Sequence, residues 1–337
     1  MSFYKQLFQE SIAIVWRYKP LWLCGFFAIL FSGSVEGDLY YSFLSKTNNP
    51  IANIKQLAGS EFFNWGFFNH AIELIFSNFS SSLAIFGILL GILLIMLTII
   101  TLSVASQMLI IKKTLKSLSE TKTMVKYSFR ELFIDDFSAI KGNLLKVVTL
   151  NIVFKIFIFV IFLVVTTPIL INMDQPGVIA NAFYVILLII LTPIAIVGSF
   201  YIRYAVIALS AGRSTLSEAL SKAWQIIKYN WLLSIETSLM VFIINIVSIF
   251  FTLLIISGLY ILIGYLALFM LQAMSEKMFV FMAGFGILIL AVLYLAISAI
   301  VSSFGVVVWA NLYQKILKNE TRSRLNGFVS TILSRLD

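Results

Sequence analysis

From Thr237 to Ser275 the chain carries no charged residue, and the same is true from Leu74 to Ile111 and from Val178 to Ile202. Each stretch outlasts the roughly 20 residues that a helix needs to cross the hydrocarbon layer of a membrane. Composition agrees: 61% of the 337 residues are hydrophobic and 12% are charged, whereas soluble domains carry about 25% charged residues. Membrane strands alternate apolar and polar residues, but ILLGILLIMLTIITL (Ile88 to Leu102) is apolar on every face, which excludes a barrel. The predicted fold class is all-α, a polytopic helical membrane protein forming one integral membrane domain over residues 1–337.

The net charge of +9 does not point to nucleic acid, because most of the basic residues lie in short segments beside the apolar runs. There they report topology: Lys and Arg stay on the cytoplasmic side. With six spans and both termini cytoplasmic, the inner segments hold 20 of the 24 Lys and Arg residues. The apolar segment Gly258 to Met274 is the ambiguous one. Counting it as a seventh crossing would place the basic tail, residues 318–337, outside. It is therefore expected to be a re-entrant or bent extension of the fifth span, in a multi-pass protein of the cell membrane.

Three stretches read almost alike: KPLWLC from Lys19, KGNLLK from Lys141 and KYNWLL from Lys228. Each follows an amphipathic segment and opens a long apolar run. In the first segment, FYKQLFQESIAIVWRYK, one helical face is expected to hold Phe3, Leu7, Phe8, Ile12, Val15 and Trp16. Pro20 suits the start of the span that follows, over about Leu21 to Tyr41. The second amphipathic segment is Met124 to Lys141. In the third, Ser214 or Thr215 can N-cap a helix and Glu218 can close a capping box, with Leu216, Ala219, Leu220, Ala223, Trp224 and Ile227 on one face. The pattern predicts three helix pairs, each preceded by an inner interfacial helix, as parallel repeats over 2–111, 123–210 and 214–317. Independent selection of the same interfacial chemistry at three entries is the alternative. Lys19, Trp22, Lys141, Lys228 and Trp231 are the expected membrane-interface anchors, with the bilayer, including anionic lipids at its inner face, as the partner. No protein partner can be named.

Two charges fall inside spans, Lys155 in the third and Glu236 in the fifth. A lone Lys at a helix centre costs roughly 2.5 to 3.5 kcal/mol on insertion scales. An ion pair of Lys155 with Glu236, with Arg203 as a competing partner, would relieve that cost. It could serve substrate or proton binding, or be structural only. His70 is the single histidine and Cys24 the single cysteine, so HExxH zinc chemistry, cysteine-based zinc clusters and an internal disulfide are excluded. GxxxxGK[ST], GxSxG and GxGxxG do not occur. No enzyme, cofactor or metal site is expected. GILLG at Gly87 and Gly91 allows close helix approach within the chain or between copies. Pro168 and Pro193 are expected to kink their helices.

The stretch YIRYAVIALSAGRSTLSEALSKAWQIIKYNWLLSIETSLMVF, Tyr201 to Phe242, resembles the membrane-domain group of bacterial glycerophosphoryl diester phosphodiesterases. In that group a span ends in a basic residue, a small-residue turn follows, and a helix of the form A-L-x-x-A-W leads through Lys-x-Asn into the next span. IVWRYKPLWLCGFFA (Ile14 to Ala28) is similar to the start of related multi-pass proteins. The resemblance implies the membrane part alone: this chain has no room for the phosphodiesterase barrel, and no catalytic residue carries over. A non-catalytic role in membrane organisation, lipid interaction or partner scaffolding is expected, with a transporter or lipid-handling carrier as the alternative.

Overall fold

The computed structural model describes residues 3–32, 79–119, 136–171, 178–212, 214–273 and 276–318, and all regular structure in them is helical. The helices are α1 (Phe3–Arg17), α2 (Pro20–Ser32), α3 (Phe79–Ser119), α4 (Asp136–Ile171), α5 (Val178–Ser210), α6 (Leu216–Ala273) and α7 (Glu276–Leu317). The aromatic-rich stretch from Ser42 to Phe76 with His70, the amphipathic residues from Met124 to Asp135, the MDQPG turn and the tail beyond Lys318 lie outside the described residues.

Four helical segments are long and apolar enough to cross a membrane: Phe86–Ser119, Pro193–Ser210, Leu216–Leu266 and Val280–Leu317. A fifth is added if α1 and α2, bent by 106°, count as one span. The described residues thus give four or five crossings where the sequence suggests six. The described part of α2 has 13 residues, about 20 Å of helix, which is short of the hydrocarbon thickness of about 30 Å.

The chain divides into two compact units. One joins Met1–Leu30, Ser103–Leu144 and Arg203–Asp337; the other joins Phe31–Leu102 and Leu145–Ile202. In the first unit α6 and α7 pack along each other and α1 lies against α7. Its core sits at the charge-bearing ends of the helices, where Leu7, Leu21, Met108, Ile110, Tyr204, Leu209 and Leu312 are fully buried. Further along α6 and α7 the large side chains, among them Phe242, Phe250, Tyr265, Phe281 and Leu288, are exposed. In the second unit, Gly198 of α5 lies against the Phe154 ring of α4, and Thr98 and Thr101 return their hydroxyls to the carbonyls of Leu94 and Leu97 within α3. A hydroxyl bonded to its own helix exposes no unmet donor to lipid.

At two of the three Lys-led stretches the helix breaks. Pro20 lacks an N–H and starts α2 after the bend, and Asn230 has φ −130° and ψ 26°, a non-helical residue between two helical arms of α6. At the second stretch α4 runs from Asp136 through Lys141 and Gly142 as one helix. Neither a proline nor a residue of non-helical conformation interrupts it there. Beyond Asn230, α6 continues to Ala273 with no further non-helical residue, so Gly258 to Ala273 is part of the same helix, and the expected bend is corrected. Gly258 and Gly264 meet open space rather than a packing partner, and an isolated glycine weakens a helix by only about 1 kcal/mol. Helix α4 likewise continues past Pro168 and α5 past Pro193.

Candidate functional site: a polar collar at the charged ends of the helices

Helix α1 buries Tyr4, Leu7, Ser11, Ile14 and Val15. This stripe is rotated from the expected apolar one: Ile12 and Trp16 are left 46% and 58% exposed. The rotation has a polar cause. The Tyr4 hydroxyl donates to the Glu236 carboxylate of α6. The Asn311 amide of α7, itself buried, donates to the Leu7 carbonyl at 3.3 Å, the Ser11 hydroxyl at 3.3 Å and Glu10 Oε2 at 3.2 Å. Lys315 Nζ stands 3.0 Å from Glu10 Oε2, its side chain 8% exposed against 33% for the glutamate. Turning Ile12 and Trp16 inward instead would strand these buried polar groups, each at a cost of about 1 to 3 kcal/mol.

The bend after α1 is held by a side chain read from sequence as a membrane anchor. Trp22 Nε1 donates to the Val15 carbonyl at 3.0 Å, one of the last-turn carbonyls of α1 that have no partner within the helix. Its ring meets Trp16 edge-on at 5.2 Å. Behind the bend, Gly25 lies so close to α7 that a Cβ would meet Ser303 Oγ and the Ala299 carbonyl. The Ser303 hydroxyl is shared between the carbonyls of Leu21 at 2.8 Å and Ala299 at 2.9 Å. Small residues at a helix crossing, with a hydroxyl between backbones, are the usual packing solution in lipid.

The turn from α5 into α6 follows its sequence closely. Gly212 takes φ +77°, a left-handed conformation that favours glycine, just past the end of α5. Thr215 then caps α6: its hydroxyl accepts from the Glu218 N–H at 3.4 Å, and the Glu218 carboxylate accepts from the Thr215 N–H at 3.2 Å. At the Asn230 break the Ser234 hydroxyl donates to the Asn230 carbonyl at 3.0 Å. Ser234 has one proton, so the buried Tyr204 hydroxyl, 2.7 Å away, is the donor to Ser234. The chain of hydrogen bonds fastens α5 to the break.

The candidate residues fall as follows. Glu236 is buried and bonded to Tyr4. Arg203 is exposed, with its guanidinium 5.1 Å from the Trp309 ring, a cation–π distance. Lys155 is half-buried in α4 and belongs to the second unit, whereas Glu236 and Arg203 belong to the first. Lys19, Lys141, Lys228 and Trp231 are exposed, and Lys228 Nζ lies 5.7 Å from the Tyr229 ring. Sequence reasoning missed Tyr4, Glu10, Asn311 and Lys315. A signal was available: Glu10 and Ser11 interrupt an otherwise apolar helical face, and Asn311 and Lys315 sit four apart on α7. Lys113 is likewise buried, 2% exposed, with its ammonium 5.3 Å from the Tyr18 ring.

Among the described residues, no cluster of His, Cys, Asp or Glu could hold a metal ion. The Thr237 hydroxyl and Gln314 Oε1 are buried with no hydrogen-bond partner among those residues. Among the described residues the arrangement is all-helical, with several helices long and apolar enough to cross a membrane, fastened at their charged ends. No protein-family model, curated protein or solved structure matches the chain.

Proposed function

We propose that the chain is a six-span integral membrane protein of the cell membrane, without catalysis of its own, whose collar faces the cytoplasm and engages anionic headgroups of the inner leaflet. In this reading it organises lipid or scaffolds a partner. The observation that carries it is the collar surface: exposed Lys5, Arg17, Lys19, Lys141, Lys222 and Lys228 alternate with exposed Trp16, Trp224, Tyr229 and Trp231. The exposed carboxylate nearby, Glu218, is engaged in its capping box. Aromatic rings at the headgroup level and lysines reaching to anionic lipid are the two standard anchors of a membrane boundary. In the six-span count, α4 crosses with α5 as the second pair. The resemblance of Tyr201 to Phe242 to the phosphodiesterase membrane-domain group supports the same role.

Each basic residue near an anionic surface contributes about 1 kcal/mol of attraction that salt weakens. In nanodiscs, replacing neutral lipid by phosphatidylglycerol should raise the melting temperature at low salt. The triple variant Lys19→Gln, Lys141→Gln, Lys228→Gln should lose most of that rise. An equal rise in wild type and variant would remove the headgroup role from these lysines.

A carrier is the second reading, favoured by Thr237, whose fully buried hydroxyl lies one residue from Glu236 and has no partner among the described residues. Flux of amino acids, sugars or phospholipids into proteoliposomes that disappears in Lys155→Met with Glu236→Gln would establish it over the scaffold.

A further inference from the structure

Helix α7 has 42 residues, about 63 Å of helix, against a hydrocarbon thickness of about 30 Å. A tilt of about 40°, the upper end for membrane helices, lengthens the path only to about 39 Å. Helix α6 runs beside it at the same length scale, since Gly286 of α7 is pressed against the Ile263 side chain of α6. With Lys228 and Trp231 at the inner boundary, as proposed above, about 24 Å of the hairpin stands beyond the outer edge of the hydrocarbon. That length takes in Gly258–Ala273 of α6 and the facing turns of α7.

This end of the hairpin is not built for water. Tyr260, Tyr265 and Phe269 on α6, and Phe281, Phe285 and Leu288 on α7, are each more than half exposed, and α6 has no charged residue after Glu236. A helix apolar all round is a helix that must be covered. Ile261, Leu262, Leu268 and Val280 are exposed to the same degree, and at on the order of 100 Å² for each of these large side chains the apolar surface here is on the order of 1,000 Å², above the few hundred of an ordinary monomer patch. One partner in a stable interface contributes about 800 Å².

We propose that the outer ends of two α6–α7 hairpins pack against each other beyond the hydrocarbon layer, joining two copies of this chain as a four-helix bundle. A second copy in the same membrane presents the same patch at the same height, which makes the contact self-complementary. A soluble partner with a charged surface would find only Glu276 and Lys277, at the tip, to pair with on these turns of α6 and α7.

The test uses the full chain with Cys24→Ser and single cysteines at Tyr265, Phe281 or, within the span, Phe250. Native membranes are oxidised, and dimer is read on non-reducing gels. Tyr265→Cys and Phe281→Cys should give covalent dimer in most of the protein, with Phe250→Cys giving little. Absence of dimer at both outer positions overturns the proposal, whether an impermeant maleimide reaches them, as for a free hairpin, or not, as for one buried in lipid. Cross-linking at Phe250 equal to that at Tyr265 overturns it too, by placing the contact inside the bilayer. Labelling of a Lys228→Cys variant from outside would instead strike the boundary reading on which the hairpin's height rests.

Discussion

The ion pair between Glu10 and Lys315 offers a quantitative test of how α1 is held. The two ends are unequal: the Lys315 side chain is 8% exposed and Glu10 is 33% exposed, 3.0 Å apart. Removing one partner of a buried pair costs about 3 to 5 kcal/mol because the other charge is stranded. Glu10→Gln strands the more buried charge, yet glutamine still offers an oxygen to Lys315 and Asn311. Solvent at the glutamate also screens part of the pair, which lowers the expected cost to about 2 kcal/mol. Lys315→Met leaves Glu10, which can turn to water and keep Asn311, and about 1 kcal/mol is expected. The double variant removes both charges and should cost no more than Lys315→Met alone, so the coupling is about 2 kcal/mol.

Hydrogen exchange of Phe3–Arg17 in nanodiscs reads this as local opening. Exchange through α1 should speed up about 30-fold in Glu10→Gln, about fivefold in Lys315→Met and about fivefold in the double variant, at about 1.4 kcal/mol per tenfold. The distal turns of α6 should exchange as in wild type. Additive effects, with the double variant near 150-fold, would mean that the two side chains act independently and that α1 is held by its apolar contacts alone.

Gly25→Ala should lower stability by about 1 to 3 kcal/mol, because its Cβ meets backbone and a buried hydroxyl of α7, while Gly258→Ala, in open space, should be neutral or gain up to about 1 kcal/mol. Thermal melts in one detergent compare the two. Trp22→Phe keeps the ring and removes the donor to Val15, so about 1 kcal/mol should be lost, seen as a broadened distance between spin labels at Gln9 and Leu23. Thr215→Val should cost about 1 kcal/mol through loss of the cap, with faster exchange confined to the first turns of α6; uniform acceleration along α6 would contradict the cap.

Much of the chain's local structure was legible in its residues. The capping box at Thr215 and Glu218, the small-residue turn at Gly212, the break before Pro20 and the break between Lys228 and Trp231 follow from backbone chemistry that acts within a few residues. The direction in which α1 faces was not legible. Apolar periodicity pointed to Phe8, Ile12 and Trp16, whereas the buried stripe is fixed by Glu236, Asn311 and Lys315, more than 200 residues away in sequence. The same limit explains α4: KGNLLK looks like KYNWLL, but Gly142 and Asn143 stay helical, and the Asn143 amide instead reaches the Leu209 carbonyl at 3.2 Å, near the unfilled end of α5. One asparagine marks a break and the other caps a neighbour. Three-residue similarity cannot separate those outcomes.

Long-range contacts of this kind gather at the charged ends of the helices for a physical reason. Between helices in lipid there is no hydrophobic driving force, since acyl chains solvate Leu and Phe as well as another helix does. Apolar side chains along the middle of α6 and α7, within the hydrocarbon, therefore gain little by meeting one another, and Phe242, Phe250 and Leu253 remain exposed. Hydrogen bonds, an ion pair and close backbone contact at Gly25 supply specificity at the charged ends, because Ser11, Ser303, Asn311 and Lys315 are buried and a buried polar group without its partner costs about 1 to 3 kcal/mol. Substitutions that exchange one aliphatic residue for another at Ile249, Leu253 or Val292 should accordingly be silent in melts and in exchange. Conservative changes at Asn311 should not be: Asn311→Leu removes the donor to the buried Ser11 hydroxyl and one of the donors to Glu10 Oε2, and sets an apolar side chain against both, so a loss of about 2 kcal/mol is expected. A stable Asn311→Leu variant with unchanged exchange across Phe3–Arg17 would mean that the fold is held along its apolar lengths after all.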